Sequence, residues 1–250
     1  MRKLKKNLLF ALALTPVAAV AGYFTMLYQL DFVGEEMIAE AVAQLGSLDA
    51  LVAVYIVQTV IYSVFCGFVG SLLAQQLGLW KPIRLEKRPL VVTLVLSVIF
   101  GILFSMDYWT FGKWMPEIAA TTADTLNWKV AVASVLYGGV VEELMLRLFM
   151  MSLIAWLLWK LFFRRQEHAP TGVIIAANVI AALLFAAGHL PATAMSFGAL
   201  TPVLLIRCFL LNGGFGLLFG WLYRKFGIHY AMVSHALLHI VSKLIWFIFI

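Results

Sequence analysis

Two glutamates, one arginine and three histidines stand out in the sequence because each lies inside a long apolar run. They are Glu142, Glu143, Arg147, His189, His235 and His239. A charge at the centre of a bilayer costs about 2.5–3.5 kcal/mol on insertion scales, so such residues usually face a protein interior or a wet cavity and mark function. Arg207 and Lys243 also lie in apolar runs. For these two we expect local pairing, or extension of the charged end to the membrane surface.

Helical spacing assigns these residues different positions. Glu143 and Arg147 are four residues apart, so they lie on one face of an α-helix and the guanidinium neutralises the carboxylate. Glu142 is turned by about 100° from Glu143, which leaves it directed into the bundle. His235 and His239 are also four apart, so both imidazoles lie on one side of their helix.

Carboxylates and imidazoles in an apolar setting suit the hydrolysis of an amide bond. A carboxyl group shielded from bulk water binds a proton more strongly than in solution, which suits a general base near neutral pH. Glu142 would take a proton from a water that attacks a carbonyl, while imidazoles orient that water or stabilise the oxyanion. The same residue types also suit a divalent metal such as zinc, held by Glu142, His189 and His235. Spacing alone leaves both possibilities open, although the common HExxH zinc signature is absent from the sequence.

The elements that carry these residues must be membrane-spanning helices. The chain of 250 residues is 64% hydrophobic and 12% charged, whereas soluble domains are about 45–50% apolar and about 25% charged. Its apolar runs reach the length of about 20 residues that crosses a bilayer, and they lack the alternation of barrel strands. The runs lie near residues 7–29, 50–73, 89–108, 130–162, 172–191, 199–223 and 228–250.

The runs predict an all-α polytopic membrane protein, with residues 1–250 forming a single integral membrane domain. We expect a bundle of about seven transmembrane helices, or eight if the long fourth run is split at its glycine pair, Gly138 and Gly139. Residues 1–21 also resemble a cleavable signal peptide. Because the first apolar run continues through Tyr28, we favour a retained span.

Basic residues are concentrated in alternate connecting segments. Most of the 18 Lys and Arg residues lie before the first run or between runs two and three, four and five, and six and seven. The remaining segments are mainly acidic and include Asp107. This bias predicts a cytoplasmic amino terminus and a carboxyl terminus outside. Membrane orientation therefore accounts for the net charge of +6, and no nucleic-acid partner is expected.

Three short motifs resemble those of the CPBP family of intramembrane endopeptidases, which contains the type II CAAX prenyl proteases and the Abi bacteriocin-immunity proteins. The family pattern is EExxxR, then FxxxH, then HxxxN or HxxxH on a late span. This sequence has Glu142-Glu143 followed by Arg147, Phe185 followed by His189, and His235 followed by His239, in that order. The resemblance covers roughly residues 130–245 and implies that they form the catalytic core.

The resemblance implies an intramembrane protease acting on a membrane-embedded or lipidated peptide or protein. In such an enzyme Glu142 activates the hydrolytic water and His189 helps to hold it, with Glu143 and Arg147 in support. Family members are often labelled metalloproteases. We favour the glutamate mechanism, which requires no cofactor.

The last motif implies the oxyanion-stabilising pair, His235 and His239. Prenyl proteases of the family usually have Asn at the position of His239. The histidine therefore favours the bacterial and immunity-type members, located in a bacterial cell membrane, over prenylated CAAX substrates.

Two other functions fit intramembrane Glu and His residues. Proton-coupled transporters use them as relays, but the repeated halves that transporters often show are not found in this sequence. A non-catalytic scaffold or bacteriocin-immunity protein that binds a membrane partner is the other alternative.

The depth of the predicted site residues is not uniform along their runs. At about 1.5 Å per residue, Glu142 and His189 lie roughly 27–30 Å from the basic ends of their runs. By the same measure, His235 and His239 lie only about 10–17 Å from the basic end of theirs. These residues can meet only if the last run starts deeper, if the fourth run kinks at its glycines, or if the boundaries differ.

Overall fold

The computed structural model describes residues 2–31 and 33–250, and within these ranges all regular structure is helical. Seven helical stretches are long and apolar enough to cross a membrane, and we number them as spans one to seven. They are Lys3–Leu30, Leu48–Gln76, Lys87–Trp114, Trp128–Phe162, Thr171–Phe197, Pro202–Phe226 and Ile228–Phe249. The all-α membrane bundle of seven spans is thereby confirmed.

Most of the spans are built from more than one helix. The helices are Arg2–Ala13 and Thr15–Leu30 in span one, Leu48–Gln76 in span two, Lys87–Ser105 and Asp107–Trp114 in span three, Trp128–Ala133, Ser134–Met151 and Ser152–Phe162 in span four, Thr171–Gly188 and Leu190–Phe197 in span five, Pro202–Cys208, Phe209–Gly213 and Gly214–Phe226 in span six, and Ile228–Phe249 in span seven. The stretches Ser134–Met151 and Phe209–Gly213 are π-helical. Two short helices, Glu35–Leu45 and Pro116–Asp124, lie between spans.

Span four is continuous from Trp128 to Phe162, so the division into two spans that its length suggested does not occur. Its glycine pair lies inside the π-helical stretch, where the helix continues with a wider turn. Local capping explains where several helices begin. Ser47, Asn127 and Thr201 each accept a hydrogen bond from the backbone N–H three residues later, at 3.0–3.3 Å.

The spans run alternately up and down, which gives the bundle two faces of different charge. The basic face holds the amino terminus, segments 77–86 and 163–170, and residue 227; the acidic face holds segments 33–47, 115–127 and 198–201. On the basic face Gln75 donates to Asn7 at 2.7 Å. On the acidic face Trp246 donates to the carbonyl of Ser105 at 2.9 Å. A cytoplasmic basic face stays a prediction from charge.

Span seven lies at the centre of the packing that positions the site, against spans three, four and six. Small polar residues allow close contact in the apolar interior. The hydroxyls of Ser97 and Ser234, for example, are 3.0 Å apart and both residues are fully buried. Apolar side chains fill the surrounding core, including Leu144, Leu222 and Leu238, which are at most 2% exposed.

Candidate active site

Three of the six predicted site residues lie on the π-helical stretch of span four. Hydrogen bonds in a π-helix run from residue i to i+5, and such turns are rare and frequently found at functional sites. The expected α-helical turn therefore does not apply at Glu142, Glu143 and Arg147. The predicted pairing survives the change, because Arg147 Nη1 lies 3.2 Å from Glu143 Oε1.

Glu143, Arg147 and His235 form a buried group that we call the inner cluster. Glu143 is 0% exposed and Arg147 is 2% exposed. The Nδ1 atom of His235 lies 2.9 Å from Glu143 Oε1, the same oxygen that pairs with Arg147. Because a carboxylate accepts hydrogen bonds, Nδ1 of His235 carries the proton and donates it. In the neutral imidazole, Nε2 is then an acceptor.

Aromatic rings enclose the Arg147 guanidinium on two sides. Its Cζ atom lies 4.4 Å from the ring centre of Phe185 and 5.3 Å from that of Phe219, distances typical of cation–π contacts. A Cβ atom at Gly216 would lie 3.0 Å from Arg147 Nη2, so the glycine leaves room for the guanidinium. Within the described residues, Arg147 Nη1 and Nη2 and Glu143 Oε2 have no hydrogen-bond partner. The ion pair is therefore stabilised by the attraction between its two charges and by the faces of the two aromatic rings.

Glu142 lies on the open side of this cluster, 19% exposed, between two imidazoles. Its Oε1 atom is 3.9 Å from Nε2 of His189, and its Oε2 atom is 3.9 Å from Nε2 of His235. Both separations exceed a direct hydrogen bond, and polar groups at such distances are commonly bridged by water. The Nδ1 atom of His189 lies 2.9 Å from the carbonyl oxygen of Phe185 and donates to it. The Nε2 atom of His189 is therefore left to face Glu142.

His239 completes the set, one helical turn beyond His235. The two imidazole rings are stacked, with centres 5.1 Å apart and planes at 28°. Span four can approach them because it carries no side chain at Gly138, where a Cβ atom would lie 3.1 Å from His239 Nε2. At Gly139 a Cβ atom would lie 2.8 Å from that of Ala236. The glycine pair thus brings the imidazoles of span seven next to Glu142.

The depth mismatch expected from the sequence is removed at both helices concerned. Span seven begins beneath segment 77–86, where the hydroxyl of Tyr230 accepts a hydrogen bond from the backbone N–H of Glu86 at 2.7 Å. Ile228, its first residue, is 4% exposed. The first residue of span seven is therefore covered by this segment. Span four contributes through its π-helical stretch, whose wider turns advance less per residue than an α-helix.

A cavity of about 420 Å³ joins these groups and extends to spans one and two, which carry none of the three motifs. Gln29 of span one and Tyr55 of span two line it, and Gln29 Nε2 donates to the Tyr55 hydroxyl at 3.2 Å. Tyr137 lines the same cavity. None of these three residues was predicted from the sequence, because the candidates were chosen among Glu, Arg, Lys and His. Uncharged polar residues within the apolar runs were the available signal.

Asp107 corrects another expectation. Asp107 was expected in an acidic connecting segment, but it lies within span three and is 3% exposed. Both of its carboxylate oxygens accept hydrogen bonds from Arg207, with Nε to Oδ1 at 2.9 Å. Arg207 therefore pairs within the bundle, in agreement with the first of its two expected roles.

The predicted metal ligands Glu142, His189 and His235 come together, and their donor types suit zinc. Within the part of the chain that the structure describes, however, no three His, Cys, Asp or Glu side chains are positioned to hold one ion. As placed, these residues do not fit a metal site.

The geometry can be compared with known families. Residues 124–241 match the family described as Rce1-like, type II CAAX prenyl endopeptidase. This stretch of the chain is therefore similar to the Rce1-like family. The resemblance to the CPBP and CAAX proteases is thereby confirmed. Neither a curated protein nor a solved structure matches the chain.

The match to this family indicates a membrane-embedded protease, a hydrolase whose substrate is a peptide or protein. All six predicted site residues fall within the matched stretch. The structure brings five of them into direct ring or polar contact, or within 3.9 Å of a carboxylate oxygen: Glu142, Glu143, Arg147, His189 and His235. The sixth, His239, stacks on His235.

Proposed function

We propose that this chain, which resembles the Rce1-like family, is an intramembrane endopeptidase in which Glu142 activates a water molecule bound between its carboxylate and His235, with His189 on the other side of the carboxylate. The observation that carries the proposal is the placement of both Nε2 atoms 3.9 Å from the Glu142 carboxylate, at the wall of the cavity. A water between Glu142 and His235 donates one hydrogen bond to each. Its lone pairs are then free to face a substrate carbonyl.

The first chemical step forms the tetrahedral intermediate. The water oxygen attacks the carbonyl carbon of the scissile bond while Glu142 accepts the water proton as general base. The carbonyl π electrons move to oxygen, which becomes an oxyanion. His239 is the group best placed to donate a hydrogen bond to that oxyanion, because none of its ring nitrogens is held by a side-chain or backbone partner in the described residues.

His235 takes a different role from the one that the resemblance implies. Because its Nδ1–H is donated to Glu143, the neutral ring presents an acceptor and not a donor to the cavity. It therefore accepts a hydrogen bond from the attacking water at the Oε2 side of Glu142, while His189 borders the Oε1 side. The inner cluster fixes this tautomer and the ring orientation, as carboxylate partners of histidine do at other sites.

The second step breaks the C–N bond. The electron pair of the oxyanion reforms the carbonyl, and the leaving nitrogen takes the proton held by Glu142. The products are a carboxylic acid and an amine, and Glu142 returns to its ionised form. We propose a peptide of a membrane-associated or lipidated protein as the substrate, because the cavity lies within the apolar spans.

The test uses purified protein in vesicles with an internally quenched membrane peptide. Glu142→Gln keeps the shape and removes the base, so we expect kcat to fall by about 10²–10⁴-fold. Glu167→Gln is the matched control, because that carboxylate is 90% exposed. Its activity should equal that of the unchanged protein. Folding of all variants is checked by thermal unfolding followed through tryptophan fluorescence.

Two results would overturn the mechanism. Full cleavage by both Glu142→Gln and His189→Ala would eliminate the glutamate-activated water. A complete loss of activity with chelator, restored by zinc, would instead demand a metal and replace the glutamate-only route. Cleavage that persists in chelator and disappears in Glu142→Gln supports the proposal.

A further inference from the structure

Within residues 2–31 and 33–250, three Lys or Arg residues lie at least five residues inside a span, and two of them are paired. Arg147 pairs with Glu143, and Arg207 pairs with Asp107. For Lys243 no carboxylate within 4.0 Å is found in residues 2–31 and 33–250; its contact is the Trp246 ring, 5.8 Å from Nζ. An unpaired ammonium within a membrane span is costly unless an anion or water compensates it.

Lys243 lines a second cavity of about 280 Å³ that opens toward the acidic face. His189 and His239 line both this cavity and the catalytic one, so the two spaces meet at the proposed active site. Lys243 lies four residues after His239, which is about 6 Å along an α-helix. A ligand in the second cavity can therefore touch Lys243 while its other end reaches the catalytic groups.

The carboxylate and the guanidinium of this second cavity are paired with each other, and several of its hydroxyls donate within their own spans. The Asp107 carboxylate is taken by Arg207, and the hydroxyls of Thr121, Thr122 and Thr193 donate to carbonyls of their own helices at 2.8–2.9 Å. Lys243 is thus the cation lining this cavity that has no carboxylate partner, and it can bind an anionic group of the ligand.

We infer that Lys243 binds the carboxyl-terminal carboxylate of the peptide substrate, a role that rests on the proposed function. An ammonium and a carboxylate form a charge-assisted hydrogen bond, which is stronger than one between neutral groups. A phospholipid phosphate would offer a similar anion. Lys243 lies six residues before the end of span seven at Phe249, or about 9 Å inside it, which favours a peptide end over a headgroup at the membrane surface.

The experiment compares two versions of one quenched membrane peptide, ending in a free carboxylate or in an amide. The unchanged protein should cleave the carboxylate form with a kcat/KM about ten- to a hundredfold higher, the factor expected for a hydrogen bond between charged groups. Most of the difference should lie in KM. In Lys243→Met the ratio should fall to about one, and Lys243→Arg should restore most of it.

The matched control is Lys160→Met, because Lys160 also lies beside a tryptophan, 3.6 Å from the Trp159 ring, but at the basic face. It should keep the full preference for the carboxylate form. Binding of both peptides to Glu142→Gln, measured by fluorescence anisotropy, gives a readout that does not depend on cleavage. The same assays in vesicles with and without phosphatidylglycerol distinguish a peptide carboxylate from a lipid phosphate.

A ratio of one in the unchanged protein would overturn the inference and leave the proposed protease intact. An equal decrease in kcat/KM for both peptides in Lys243→Met would also overturn it. So would a preference that depends on phosphatidylglycerol and not on the peptide end. If the unchanged protein binds and cleaves neither peptide, the proposed function fails and this inference falls with it.

Discussion

Glu142 and Glu143 are adjacent in the chain but lie in two regions of different character. Glu143 belongs to the inner cluster, where it is 0% exposed and its Oε1 atom contacts both Arg147 and His235. Glu142 faces the cavity, 19% exposed and 3.9 Å from each of two imidazoles. The inner cluster has no room for a reactant, whereas the Glu142 side does. Of the two neighbouring carboxylates, Glu143 is therefore enclosed by its partners and Glu142 is accessible from the cavity.

The two regions should respond differently to substitution. Changes in the inner cluster remove a partner from a buried charge, so they should reduce stability first and activity as a consequence. Changes on the Glu142 side leave the packing in place, so they should reduce activity with little change in stability.

The largest effect is expected from Arg147→Met. The substitution leaves the Glu143 carboxylate buried without its cation, and removing one partner of a buried pair typically costs about 3–5 kcal/mol. Thermal unfolding in detergent, followed by tryptophan fluorescence, should show a large decrease in melting temperature. Arg207→Met tests the same effect at a second ion pair, since its carboxylate partner Asp107 is also buried.

A double variant sharpens this prediction. Glu143→Leu combined with Arg147→Met removes both charges, so it should recover part of the lost stability, because paired residues are non-additive. A double variant less stable than Arg147→Met alone would show that the ion pair is not what Arg147 contributes.

A smaller effect, seen in activity, is expected from His189→Gln. The change removes the ring that faces Glu142, and misplacing a reactant can lower the rate by about 10²-fold. Stability should change by less than about 0.5 kcal/mol, as for most substitutions away from the packed core. His168→Gln, at a position 88% exposed, is the control. A decrease in stability as large as that of Arg147→Met would place His189 with the inner cluster and contradict the comparison.

The smallest effect is expected from Gly139→Ala, which tests how the two regions are held together. The added Cβ atom would lie 2.8 Å from that of Ala236, so spans four and seven must separate. Overpacking of this kind costs about 1–3 kcal/mol, and the shift of span seven should also lower kcat. Gly172→Ala has no atom within 4 Å of the added methyl group and should keep both stability and activity. Equal stability and activity of the two variants would argue against a tight contact at Gly139.

Much of the fold could be predicted because it depends on local composition. Each span is an apolar run long enough to cross the bilayer, and span ends differ from the predicted ones by only a few residues at most positions. The motif residues were found for the same reason, since an ionisable group in an apolar run is visible without any structure. The π-helical stretch of span four was not predicted, because apolar periodicity does not distinguish hydrogen bonds to residue i+4 from those to residue i+5.

Contacts between distant residues were also beyond the sequence. Asp107 was assigned to a loop because nothing near it in the chain indicates a partner, and its partner Arg207 is 100 residues away. Gln29 and Tyr55 line the cavity although their spans carry no motif. Such contacts depend on which helices become neighbours.

The amino-acid sequence alone determined that this protein is a seven-span bundle with its six candidate site residues inside apolar runs, because the cost of placing polar groups in lipid is a property of each residue and its near neighbours. The spacing of Glu143 and Arg147 also predicted their ion pair, but only the tertiary structure decided between a sealed and an open environment for each of the two adjacent carboxylates. That choice depends on where the rings of Phe185 and Phe219 and the imidazoles of span seven come to lie, and these positions arise from helix packing across the whole bundle.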